Sequence, residues 1–96
     1  MTKPVSVEQY TLVTSFESVR KTLLNMKYQR LSRPLAYWAL PNDRRLPLAL
    51  LDRTLNELLA QPFEELSATP GIGQKKMGAM IKLLLRAANE PTDDIP

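Results

Sequence analysis

The chain of 96 residues has no cysteine and no histidine. Without cysteine there is no disulfide framework and no thiolate chemistry. Without either residue, a zinc site would have to be built from carboxylates alone, a poor donor set for that ion. Histidine is also the side chain that most often moves protons near neutral pH. No apolar run approaches the roughly 20 residues that a helix needs to span a bilayer, and the N-terminus lacks a signal-peptide profile. The expectation is therefore a cytoplasmic protein with no membrane association. Only 3 glycines occur, all between Gly71 and Gly78. There is one tryptophan, Trp38.

The residues that remain form no catalytic constellation. Glu64 and Glu65 are adjacent on an expected helix and so point different ways. Asp93 and Asp94 lie in a polar tail. No serine sits in a nucleophile elbow. The glycine-containing stretch is too short for a P-loop, and no Gly-Lys-Ser/Thr comes after it. The reading is a non-enzyme with no cofactor and no metal.

What the chain does have is a concentrated turn signal, Thr69-Pro70-Gly71-Ile72-Gly73-Gln74-Lys75-Lys76-Met77-Gly78. Glycine serves where φ must be positive or where another group must approach the backbone closely. Before the turn, Pro62 suits a helix start, Glu64 and Glu65 favour its positive end, and Phe63 and Leu66 share a face. After it, Met77, Met80, Ile81, Leu84 and Leu85 recur at core-facing spacings. The unit reads as short helix, glycine turn, longer helix. The N-terminus of that second helix leaves amides unpaired and carries partial positive charge, which suits a phosphate.

The run from Leu66 to Ile81 resembles the helix-hairpin-helix motif of DNA-binding proteins. The longer stretch from Thr54 to Leu84 is similar to the C-terminal domain of the bacterial RNA polymerase alpha subunit. The first resemblance implies that a Gly-hydrophobic-Gly turn donates backbone amides to a DNA phosphate without reading sequence. Carried onto this chain, the phosphate-binding residues are Gly71, Ile72, Gly73, Gln74, Lys75 and Lys76. The second resemblance implies contact with DNA and with activator proteins. The family usually places a small residue where Met77 stands, while the alpha-subunit form takes a larger apolar one.

Charge supports the same direction. The formal net charge is +3, and it is uneven. Residues 1–53 hold nine basic and four acidic residues, and residues 54–96 hold four and six. A basic surface attracts phosphate polymers. Arg44, Arg45, Lys82, Arg20 and Lys21 are the auxiliary basic candidates. The segment from Arg20 to Arg33 adds affinity if it shares a face with the turn.

Along the chain, residues 1–13 mix β-branched residues with no turn and read as a mobile arm. Thr14 and Glu17 have capping-box spacing, so a helix is expected from there to about Arg30, with Phe16, Val19, Leu23 and Met26 as its apolar stripe. Ser32 is a candidate cap for a short helix over residues 35–40, in which Trp38 is expected in the core. Leu46 to Leu51 reads as a short buried helix. Thr54 and Glu57 again have capping-box spacing. The fold class is all-α: a small helical bundle containing one helix-hairpin-helix motif. Its parts are the arm (1–13), an N-terminal helical extension (14–45), the hairpin domain (46–88) and a disordered tail (89–96). Two functions fit: a module gripping double-stranded DNA, or a protein-interaction module on the same scaffold, with transcription or repair machinery as partner. A monomer is expected in either case.

Overall fold

The computed structural model describes residues 7–26 and 28–89. Among these residues there is no strand, and the fold is a small all-α bundle. Helix α1 spans Val7–Leu24, α2 Tyr28–Leu31, α3 Leu55–Leu59, α4 Phe63–Ser67 and α5 Gln74–Asn89, with 3-10 turns at Leu35–Trp38 and Leu48–Leu50. Residues 1–6 of the expected arm, and the tail from residue 90, lie outside the described residues.

The first correction concerns α1. From Val7 onward the arm is helical, and Thr14 lies inside the helix rather than at its start. The β-branched residues of this stretch are weak helix formers, but tertiary packing overrides propensity. Leu12, Val13, Phe16, Val19 and Leu23 make one continuous apolar stripe, and Phe16, Val19 and Leu23 are buried. The stripe packs mainly on α5. A Cβ on Gly78 would stand 3.7 Å from Leu12 Cδ2, an ordinary van der Waals contact. Phe16 also meets Phe63 of α4 edge-on, with ring centroids 6.0 Å apart. The N-terminal helix and the glycine-turn unit therefore share one core.

α1 stops at Leu24, short of the expected Arg30. Thr22 Oγ1 donates to Ser18 O and Asn25 Nδ2 donates to Lys21 O, so side chains take up carbonyls in the last turns. Ser32 Oγ donates back to Gln29 O in α2 rather than capping the turn at Leu35–Trp38. The expected helix over residues 35–40 is a single 3-10 turn with Trp38 buried, as read from its sequence. The expected buried helix from Leu46 shrinks to Leu48–Leu50, and Leu48 is 71% exposed. Pro47 explains this, because it has no amide to donate and disfavours helical backbone at the residue before it. A short extended pairing ties these segments together: Leu35 N donates to Arg53 O at 2.8 Å and Leu55 N to Arg33 O at 3.0 Å.

The capping box at α3 is present. Glu57 N donates to Thr54 Oγ1 (3.1 Å) and Thr54 N to Glu57 Oε1 (3.0 Å). On α5 the apolar face is Met77, Met80, Ile81, Leu83, Leu84 and Ala87. Leu85, expected there, is 45% exposed; Leu83 takes the buried place.

Two arginines hold α5 in its surroundings. Buried Arg30 donates to Ala87 O at 2.7 Å, one of the last four carbonyls of α5, where a cation also suits the helix dipole. Arg86 donates to Trp38 O at 2.7 Å and grips Asp43 with two bonds of 2.9 and 3.1 Å. The hydrogen bond from Arg86 and then that from Leu40 N hold the Asp43 carboxyl at about 2, below its ordinary 3.8. Its folded pKa lies below its unfolded one, so the stabilisation is complete above the ordinary value and is lost as pH falls toward the folded value. Asp43→Asn should lower the melting temperature at neutral pH and flatten the loss of stability between about pH 4 and pH 2. Parallel melting-temperature curves for variant and parent through that window would remove Asp43 as a contributor.

Candidate nucleic-acid interface

The glycine turn is built from both its ends. α4 starts after Pro62, buries Phe63 and Leu66, and finishes with Ala68 N donating to Glu64 O and Leu66 O. Thr69 N donates to Leu66 O (3.2 Å) and Ile72 N to Thr69 O (3.0 Å). Closing the turn this way sets φ of Gly71 at +86°. That region suits glycine, because a Cβ there crowds the following carbonyl. Ile72 is buried, at 7% exposure, and anchors the turn to the core.

Gly73 is the N-cap of α5: its carbonyl accepts from Met77 N at 2.9 Å. Gln74, Lys75 and Lys76 are then the first three helical residues, so their amides have no intrahelical acceptor. In most helices a serine, threonine, aspartate or asparagine at the N-cap takes up one of these amides. Glycine has no side chain to do so, and no acidic residue lies in the first turn.

At Gly73 neither a positive φ nor close packing calls for glycine, although glycine is an acceptable N-cap. Its φ is not positive, and a Cβ built there meets nothing within 4 Å. Gly71 likewise has open space around a would-be Cβ. Tight packing of the turn against a neighbour therefore accounts for neither residue.

A depression of about 400 Å³ opens over this turn, lined by Arg45, Gly71, Gly73, Gln74, Lys75 and Lys76. The structure thus brings together five of the six expected phosphate-binding residues. The sixth, Ile72, acts from beneath as an anchor. Of the auxiliary basic residues only Arg45 joins them. Arg44 is exposed but does not line the depression. Lys82 is seven residues along α5 from Lys75, about 10 Å by helix rise, and its charge acts on Asp43. Arg20 pairs with Glu17 at 3.3 Å. Lys21 lies on α1 and lines a separate depression with Val13, Thr14, Glu17, Ser18 and Thr22.

Arg45 has φ +55°, the single positive value outside glycine among the described residues. A long side chain in that region costs about 1–2 kcal/mol. Two residues before it, the Asp43–Arg86 bridge ties the same loop to α5. Nothing in the sequence marks that bridge, whose partners are 43 residues apart.

A second, smaller cavity of about 160 Å³ lies on the other side of Gly73 and Gln74, lined by these two with Phe63, Ser67 and Met77. Among the described residues no group of three or more metal-ligating side chains occurs, and no helix is long and apolar enough to cross a membrane.

The two glycines separate on stability. Gly71→Ala should cost about 1–2 kcal/mol through its positive φ, and Gly73→Ala less, about 0.5–1 kcal/mol, as a poorer N-cap. Denaturant unfolding measures both; equal losses would contradict the difference in backbone. Compared with known proteins, the chain matches no family model, no curated protein and no solved structure.

Proposed function

We propose that the protein is a small non-catalytic module that grips the phosphates of double-stranded DNA through the α4–α5 turn, in the manner of a helix-hairpin-helix motif. The observation that carries this reading is Gly73. It stands at an N-cap with ordinary backbone and empty space, where a capping side chain would stabilise the helix. Its absence leaves three amides open to an external anion. An anion at a helix N-terminus is favoured by both the free amides and the dipole. Lys75, Lys76 and Arg45 surround the same depression and add charge.

The grip is sequence-tolerant in this reading, because amides and lysines on a phosphate read no base edge. With roughly 2–4 phosphates neutralised, affinity belongs in the range of about 10⁻⁴ to 10⁻⁶ M, with a log–log salt slope of about −2 to −4. A protein-interaction module on the same scaffold remains the second reading, and the exposed Tyr37, Leu40 and Leu48 favour it.

Three variants test the phosphate grip in a titration of labelled duplex DNA at low salt. Lys75→Glu with Lys76→Glu leaves the turn geometry alone, so the domain stays folded while binding drops steeply. Gly73→Asp caps the free amides and should raise stability by about 0.5–1 kcal/mol while weakening binding. Arg45→Gly relieves the positive φ, so the melting temperature rises while affinity falls. A Lys→Glu pair that binds DNA as well as the parent would exclude this face as the contact and leave the interaction module as the better reading.

A further inference from the structure

We propose that the outer face of α1 is a contact between two copies of this chain, packed antiparallel about a twofold axis. One face of α1 is taken up by the core, through buried Phe16, Val19 and Leu23. On the opposite side Tyr10, Thr14, Glu17, Lys21 and Leu24 recur at spacings of four, three, four and three. That alternation makes a continuous seam along a helix, of the kind two helices use to pack on each other. A large aromatic and a large aliphatic side chain stand at its ends, Tyr10 at 66% and Leu24 at 49% exposure. A depression of about 590 Å³ lies along this side, lined by Val13, Thr14, Glu17, Ser18, Lys21 and Thr22.

The order of the charges names the occupant. Glu17 and Lys21 stand one helical turn apart in the middle of the seam. In a twofold contact residue i of one copy meets j of the other, and j meets i. An axis at the level of Val19 therefore sets each copy's Glu17 against the second copy's Lys21, twice over. A parallel pairing in register would set like charges against each other and is disfavoured. Glu17 meets Arg20 through Oε1, and its Oε2 serves the second copy's lysine in this packing. The same register lays Leu24 of each copy over Val13 and Thr14 of the other, where the depression is open. The seam is short and polar at its centre, so the dimer is weak and depends on concentration. It shares no residue with the depression over the glycine turn, so neither contact depends on the other.

Sedimentation equilibrium of the full chain at low salt, over a wide range of concentration, reads the association. The parent should fit a monomer–dimer equilibrium that weakens as salt rises, because two exposed ion pairs are screened. Glu17→Lys sets lysine against lysine, and Lys21→Glu sets glutamate against glutamate. Each variant alone should dimerise about tenfold more weakly, since two attractions become two repulsions. An equimolar mixture of the two variants restores both opposite-charge pairs between unlike chains and should form a heterodimer of parent-like affinity. Circular dichroism checks the fold of each. A parent that stays monomeric at the highest concentration overturns the inference, as does assembly beyond two copies or association that both variants leave unchanged. Variants that lose association yet fail to complement each other in the mixture overturn the antiparallel pairing. If a variant does not fold, the parent decides alone: association that does not weaken with salt rejects the charge pairing.

Discussion

The bridge between Arg86 and Asp43 is the contact that ties the loop leading to Arg45 onto α5. It joins the middle of the chain to the last third of α5 with two parallel hydrogen bonds, and the same guanidinium takes the carbonyl of Trp38. Charge-assisted bidentate pairs of this kind fix geometry as well as adding energy. Asp43 in turn takes the amide of Leu40 at 2.6 Å, so one carboxylate closes the loop on itself and onto the helix. Arg45, two residues on, is carried to the mouth of the depression over the glycine turn. Removing either partner would leave a half-buried charge without its counter-ion, which costs far more than the pair contributes.

α5 is treated differently at its two ends. At the C-terminal end Arg30 is buried against Ala87 O, with its guanidinium carbon 5.9 Å from the centre of the Trp38 ring. The N-terminal end has no side-chain cap, no acid in its first turn, and two lysines. A folding argument alone would favour filling both ends, because each unpaired amide or carbonyl must find a partner somewhere. The asymmetry is what the phosphate proposal explains.

The basic residues therefore divide by work rather than by type. Arg30 and Arg86 hold the fold together, and Arg20 answers Glu17 on its own helix. Lys75, Lys76 and Arg45 surround the depression. The formal charge of +3 sums all of these and so says little about the surface a polyanion would meet. The glycines divide too: Gly71 is required by its φ, while Gly73 is an N-cap with ordinary backbone and open space around it.

The sequence by itself determined the elements whose signals are local. Helical periodicity revealed α5, the Thr54–Glu57 spacing revealed the α3 cap, and the clustered glycines revealed the turn, because each is written within a few residues. The buried Trp38 was legible from the apolar segment around it. Local rules failed where a distant partner decided the outcome. Val7 to Val13 reads as a loose arm until α5 offers its stripe a surface; burial there outweighs weak helix propensity. Leu83 rather than Leu85 is buried because the core wraps that side of α5. Arg30, expected only as the end of the first helix, is a clamp on a helix end that only the tertiary fold brings near. Arg45 lies beside the turn, while Arg20 and Lys21 lie on α1 away from it. Side-chain spacing encodes which face a residue takes on its own helix, whereas the element that meets that face is set by packing of the whole chain.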